Sequence, residues 1–147
     1  MNERSIATSV DAHNVSFTYP LGARPGIQGV SDVSFSVSPG QCLLITGDSG
    51  SGKSTVLKLI NGLIPHFNPG ELLGTITIIK GDQAFNPAEE PLSRAIEFSA
   101  SVFQNPRTQF FTESVNAELA FGLENLGVDP TEIESRIQSA VELLGID

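Results

Sequence analysis

The chain has 147 residues, with 8 basic residues against 17 acidic ones and a formal net charge of −9. That length is about one domain, enough to bury a core. The charge has the wrong sign for general attraction to a phosphate backbone or an anionic membrane, so no nucleic-acid partner is expected. The single cysteine, Cys42, excludes an intramolecular disulfide and fits a reducing compartment. It lies in an apolar run, where it reads as a small buried core residue.

Residues 1–11 are polar and contain no apolar stretch of signal-peptide type. No later segment approaches the roughly 20 apolar residues of a membrane span, so membrane association is expected only through another protein.

In chain order, Val15, Phe17 and Tyr19 alternate with Ser16 and Thr18, and Val33, Phe35 and Val37 alternate with Ser34 and Ser36. Both read as half-buried strands. Pro20, Gly22, Pro25 and Gly26 mark a loop between them, and Pro39-Gly40 makes a turn into the apolar run from Cys42 to Ile45. That unbroken run predicts a fully buried strand.

Val56, Leu59, Ile60 and Leu63 then fall at i, i+3, i+4 and i+7, predicting a helix with one apolar face that stops near Gly62 and Pro65. Ile76 and Ile78 alternate with Thr75 and Thr77 up to a Gly81-Asp82 turn, a Pro-containing loop covers residues 83–91, and Ile96, Phe98, Ala100 and Val102 alternate with charged or hydroxyl residues. The two alternating stretches predict two more strands.

Towards the C-terminus, Val115, Leu119, Leu123 and Leu126 keep a helical spacing. Asp129-Pro130-Thr131-Glu132 supplies an N-cap, a first-turn proline and a glutamate placed to reach back, opening a helix that carries Ile133, Ile137, Val141 and Leu144. There is no internal repeat or low-complexity tract. Strands interspersed with helices predict an α/β domain with a mixed sheet.

The chemistry lies in Gly47-Asp48-Ser49-Gly50-Ser51-Gly52-Lys53-Ser54, a glycine, four residues, then Gly-Lys-Ser, set between a predicted strand and a predicted helix. Gly50 and Gly52 let the backbone curl so that successive N–H groups face one concavity at a helix N-terminus, an anion site. Lys53 is placed to reach the β and γ phosphates of a nucleoside triphosphate, best read as ATP. Ser54 offers a hydroxyl to Mg²⁺, a hard cation that takes its other ligands from phosphates and water. Thr55 adds a hydrogen bond to the α phosphate. With Gly47, Ser49 and Ser51, these residues form the expected nucleotide cradle. A structural glycine turn that happens to carry a lysine would not need this strand and helix context. Asp48, a carboxylate beside bound phosphate, is expected to face outward to water.

With these residues in place, the chain resembles the first part of an ATP-binding cassette ATPase, and more narrowly the ATPase subunits of energy-coupling-factor importers. The resemblance implies a phosphate-loop α/β fold, with an antiparallel β subdomain, a mixed sheet and C-terminal helices. It implies that Tyr19, at the end of an early strand, stacks on adenine; alone it would read as an ordinary strand-end aromatic with its hydroxyl in water. Val102-Phe103-Gln104-Asn105-Pro106 is similar to the family's glutamine loop, which makes Gln104 the residue that meets Mg²⁺ or the attacking water. The stretch from Gln104 to Asn125, with Gln109-Phe110-Phe111 and Glu118-Leu119-Ala120-Phe121-Gly122, and the segment Asn61-Gly62-Leu63-Ile64-Pro65-His66, carry the energy-coupling-factor likeness. Arg107-Thr108 departs from the acidic pair expected there. Phe110 and Phe111 read equally well as a docking surface or as core. His66 has no second histidine at ligand spacing and is assigned no metal.

The family's Leu-Ser-Gly-Gly-Gln signature is absent from this sequence, as is an apolar strand ending in Asp-Glu, the Walker B element. Leu143-Leu144-Gly145-Ile146-Asp147 does not supply it, because Leu144 continues a helical stripe, Gly145 suits a helix end and no glutamate follows. Residues 1–147 are therefore expected to be a partial nucleotide-binding domain that binds nucleotide without turnover. Its parent is expected to be the ATP-hydrolysing subunit of an importer for a vitamin or a transition-metal ion. The implied partners are a second ATPase subunit, identical or not, and a membrane-embedded coupling protein at the cytoplasmic face of the membrane. The alternatives are a soluble ABC ATPase acting as an ATP-driven switch and a small-molecule kinase. The aromatic ahead of the phosphate loop and the glutamine loop after it have no place in the kinase.

Overall fold

The computed structural model describes residues 7–22 and 24–145. They form two compact units, one ending at Ser101 and the other beginning at Val102. The first is built on strands β1 (Thr8–Leu21), β2 (Arg24–Val37), β3 (Glu71–Lys80) and β4 (Gln83–Phe85) in the order β2-β1-β3-β4, every pair antiparallel. Helices α1 (Lys53–Ile60), α2 (Leu63–His66) and α3 (Leu92–Phe98) accompany them. The α/β character and the antiparallel subdomain are as expected.

Of the inward positions of the sheet, the alternation marks Val15, Phe17, Ile76 and Ile78 but not Ala12 or Val30. Ala12, Val15 and Phe17 of β1, Val30 of β2 and Ile76 of β3 are buried together with Val56 and Leu59 of α1 and Ile64 of α2. A second cluster joins Ile78, Phe85, Ala95 and Phe98, with Phe85 and Phe98 stacked at 4.8 Å. Burial on this scale supplies most of the stabilisation of the unit, about 1.5–3 kcal/mol for each large apolar side chain taken from water.

The β1–β2 ladder is interrupted near Val15, and that of β1 with β3 between His13 and Ser16. Asn14 and Asp32 there take positive φ, 48° and 49°, which short polar side chains tolerate better than branched ones. Asn14 Nδ2 donates to Asp32 Oδ1, and the Ser34 and Ser16 hydroxyls accept from the Asn14 and Asp32 amides, each at 2.8 Å. The bulge thus keeps its polar groups paired while it re-aims the strand.

Five expectations are corrected here. The loop expected around Pro20 and Pro25 is strand almost throughout: β1 runs to Leu21 and β2 starts at Arg24. The ladder pairs Tyr19 with Ile27 and Leu21 with Arg24, stepping past both prolines, so neither has to donate a bond it lacks. Within the expected loop 83–91, β4 forms because Phe85 pairs opposite Ile78 and is fully buried.

The strand expected from Ile96 to Val102 is instead the end of α3 followed by chain without regular structure. Ala95 and Phe98 face the core three residues apart, while Ile96 and Val102 are 55% and 90% exposed. Finally, residues 41–47 form no strand, and Leu44 is 80% exposed. Cys42 is likewise free and exposed rather than buried. A run apolar on both faces needs a neighbour on each side, and among the described residues no strand pairs with it.

The second unit contains a 3₁₀ turn (Pro106–Gln109) and helices α4 (Val115–Asn125) and α5 (Pro130–Leu144). Its helix starts are capped by side chains: Asn105 accepts from the Arg107 amide, Ser114 from the Ala117 amide and Asp129 from the Thr131 amide. Glu132 does not reach back as expected, since its carboxylate pairs with Arg136 one turn ahead. α5 ends at Gly145 with φ 63°. Ile133 is its buried residue, whereas α4 has none. Residues 1–6, and Ile146 and Asp147 at the end of the rejected Walker B run, lie outside the described residues.

Two carboxylates organise this unit. Burial pushes Glu118 up, but hydrogen bonds from the Thr112 hydroxyl and from the Phe111 and Thr112 amides outweigh it and hold the group below 4.5. The Thr131 hydroxyl and amide hold Asp129 below 3.8. A lowered carboxylate gives stability that is present above its unfolded value and lost as pH falls through its folded one. The helical circular dichroism of the second unit is therefore expected to hold above pH 4.5 and to fall progressively below it. The fall is expected to be shallower in Glu118→Gln protein, and an identical acid titration of that variant would contradict the assignment.

Candidate functional site

The loop leads from a segment without regular structure into α1, and its glycines do different work. Gly47, Gly50 and Gly52 all take positive φ, at 147°, 84° and 92°. A Cβ on Gly50 would meet nothing within 4 Å, so that position needs glycine only for its backbone angle. On Gly52 the same atom would lie 2.3 Å from the Gly29 carbonyl oxygen and 2.7 Å from Val30 Cγ1. The loop therefore packs directly on the backbone of β2.

Gly52 is also the N-cap of α1 and has no side chain to cap it. The first-turn amides of a helix have no acceptor within it, and α1 carries no acidic residue in its first turn. The helix thus presents donors and the positive end of its dipole to the loop. Lys53 Nζ donates to Gly47 O at 2.8 Å, Asp48 O at 2.6 Å and Ser51 Oγ at 3.3 Å. The ammonium has three protons and three acceptors, all on the loop. Ser49, Ser51, Ser54 and Asp48 are exposed.

Beside the loop, Tyr19, Ile27, Gln28 and Gly29 of the β1–β2 hairpin and Gly50, Gly52, Lys53, Ser54 and Thr55 line one cavity of about 220 Å³. The Tyr19 ring sits edge-on to Phe17, with centroids 4.7 Å apart, and its hydroxyl is 3.1 Å from Thr55 Oγ1. The hydroxyl is thus bonded to protein, unlike that of an ordinary strand-end tyrosine. Thr55 is 6% exposed. The donor set suits a polyphosphate: loop amides, one ammonium and a helix N-terminus. The exposed Ser54 hydroxyl at the same point is a hard oxygen that fits Mg²⁺.

A phosphate-loop geometry of this kind is shared by many nucleotide-binding families, and comparison with known proteins narrows it. The family model described as ABC transporter matches residues 30–147, well over half of the chain. The chain belongs to the ABC transporter family. It is 42% identical over 137 residues to an ABC transporter ATP-binding protein of Treponema denticola, covering 93% of this chain and 27% of that protein. It is 36% identical over 146 residues to one from Methanosarcina acetivorans, covering 99% of this chain and 22% of the relative. A Pyrococcus abyssi protein of the same description is 38% identical over 135 residues, covering 92% of this chain and 46% of its own length. The chain thus spans from about a fifth to about a half of the length of these curated relatives.

Within this ABC family chain, Gly50, Gly52, Lys53, Ser54 and Thr55 of the predicted cradle line the cavity, whereas Gly47, Ser49 and Ser51 do not, and Gly47 and Ser51 bind Lys53 instead. Gln104 is exposed and lies in the second unit, in the stretch before the 3₁₀ turn. Phe110 and Phe111 are 64% and 74% exposed, and Phe111 stacks on Phe121 at 5.3 Å. His66 is exposed, with its Nε2 3.1 Å from Pro87 O. Among the described residues, no cluster of His, Cys, Asp and Glu could hold a metal and no helix is long and apolar enough to cross a membrane.

Sequence reasoning missed Ile27, Gln28 and Gly29. A signal for the last was present: a glycine inside an otherwise good strand marks a close approach, here of the Tyr19 and Thr55 side chains, which a Cβ at 29 would meet at 2.8 and 3.0 Å.

Proposed function

We propose that this chain is the nucleotide-binding part of the ATP-hydrolysing subunit of an uptake transporter for a vitamin or a transition-metal ion. The subunit works as a homo- or heterodimer on a membrane-embedded coupling protein, peripheral to the cytoplasmic face of the membrane. One observation carries the reading: Lys53, Ser54 and Thr55 open an uncapped helix beside a cavity that Tyr19 also lines. The energy-coupling-factor branch is supported by the sequence from Gln104 to Asn125 and by Asn61 to His66.

In this reading the amides of the loop from Gly47 to Gly52, with Ser49 and Ser51, hold the phosphates, and Lys53 gives up one loop acceptor to bind the β and γ phosphates. Tyr19 stacks on adenine and Thr55 binds the α phosphate. Ser54 would hold Mg²⁺, which when bound neutralises charge on the phosphates. Gln104 is the residue that the family resemblance assigns to Mg²⁺ or the attacking water. The 147 residues form a partial nucleotide-binding domain and contain neither the Leu-Ser-Gly-Gly-Gln signature nor an Asp-Glu strand end. Bound ATP is therefore not turned over by this chain alone.

Titration calorimetry of the chain with Mg·ATP, with phosphate release followed in the same samples, tests this. Heat of binding without phosphate release is expected. Release that disappears in Lys53→Ala protein would overturn the absence of turnover, and no heat at all would overturn the binding.

A further inference from the structure

The Tyr19 hydroxyl is not accounted for by a role in base stacking, which needs only the ring. It lies 3.1 Å from Thr55 Oγ1, and either oxygen can be the donor. Thr55 is almost fully buried yet lines the same cavity as Lys53 and Ser54. The pair is held from behind by β2, because a Cβ on Gly29 would sit 2.8 Å from Tyr19 Cε2 and 3.0 Å from Thr55 Cγ2. Phe17 fixes the ring from its edge. The hydroxyls thus meet with β2 and Phe17 packed against the side chains that carry them.

A hydroxyl has one proton to give and two lone pairs to accept with. An ionised phosphate only accepts. If Thr55 donates to a phosphate oxygen, it has no proton left for Tyr19, so the bond between the two must run from Tyr19 to Thr55. A bond donated to Thr55 strengthens the one Thr55 donates onward, since hydrogen bonds in a chain polarise one another. Resting on the nucleotide-binding reading above, we propose that Tyr19 is a positioning residue for the phosphate chain. Its hydroxyl donates to Thr55 and fixes the Thr55 proton toward the phosphates, which ties the β1–β2 hairpin to the phosphate loop. The hydroxyl then serves the phosphates while the ring serves the base.

The two roles separate with a ligand that has no base. Tyr19→Phe keeps the ring and removes the hydroxyl, and Thr55→Val keeps the side chain's shape and removes the donor. Binding of Mg·ATP and of Mg·tripolyphosphate to each variant is measured by calorimetry, with thermal melting of the free proteins alongside. Tyr19→Phe is expected to weaken both ligands by the same factor, about 3- to 10-fold, as for one lost hydrogen bond. Thr55→Val is expected to weaken both ligands at least as much, and Tyr19→Phe made in the Thr55→Val background is expected to weaken them no further, because the hydroxyl acts only through Thr55. A Tyr19→Phe variant that melts lower but binds tripolyphosphate as wild type does would overturn the proposal and leave Tyr19 a structural residue. Loss on ATP alone would also overturn it, assigning the hydroxyl to the base. Wild-type protein that binds neither ligand would overturn the nucleotide-binding reading itself, and the positioning role with it.

Discussion

Lys53→Ala protein is expected to bind Mg·ATP about 10- to 100-fold more weakly than wild type, the range given by losing a hydrogen bond from a charged donor to a charged acceptor. The chain as a whole repels a polyanion, with a net charge of −9, so attraction has to be local. It comes from the α1 N-terminus and from one ammonium. That ammonium is satisfied by Gly47 O, Asp48 O and Ser51 Oγ, the last at 3.3 Å being the longest of the three. Exchanging the Ser51 bond for a phosphate oxygen keeps two anchors in place and swaps a long neutral acceptor for a charged one, so the lysine is already oriented when the ligand arrives. Arginine would not substitute, because a planar fork cannot point three donors at these acceptors. The loop is largely exposed, so Lys53→Ala is expected to leave the melting temperature of the free protein nearly unchanged. Calorimetry with added salt gives a second check: the advantage of wild type over the variant should shrink as ionic strength rises. Equal affinities at low salt would remove Lys53 from the site.

What could be read in the sequence and what could not divides along one physical line. The phosphate loop was legible because its chemistry is contiguous: backbone angle, amide direction and the lysine all come from consecutive residues. The β1–β2 strands and β3 were legible because each buries one face, so alternation marks the buried positions. Residues 42–45 were misread because an apolar run becomes a buried strand only when neighbours cover it, and the run cannot report whether they do. The segment from Ile96 to Val102 was misread because Phe98 fits a period of two from Ile96 and also a spacing of three from Ala95. Packing of Ala95 and Phe98 on Ile78 and Phe85 decided for the helix. Cys42 was misplaced along with its run. Tyr19 was found by its position ahead of the loop, but its bond to Thr55 joins residues 36 apart in sequence, and no local pattern encodes it.

The same distinction between local and non-local reasons yields the largest expected effect on stability. Two glycines of the loop take nearly the same φ, 84° at Gly50 and 92° at Gly52, so alanine at either position costs about 1–2 kcal/mol of backbone strain. At Gly50 that is the whole cost, since the added carbon meets nothing within 4 Å. At Gly52 it meets the Gly29 carbonyl oxygen at 2.3 Å, and a main-chain atom in the middle of β2 cannot turn aside as a side-chain tip can. Adding an overpacking cost of about 1–3 kcal/mol brings the expected loss for Gly52→Ala to about 2–5 kcal/mol. Chemical denaturation of the two variants should separate them by the difference, with Gly50→Ala the milder. The loop must also lift from β2 to relieve the clash, which moves Lys53 and Thr55 away from the wall formed by Tyr19 and Gly29. Gly52→Ala is therefore expected to lose stability and ATP affinity together, whereas Lys53→Ala loses affinity alone. If Gly52→Ala unfolded at the same denaturant concentration as Gly50→Ala, the loop would not rest on β2 and glycine at 52 would serve only the curl of the backbone. A distinct penalty at Gly52 would mean that one residue meets two demands, since it gives the loop its turn and lets the hairpin that carries Tyr19 approach the phosphate site.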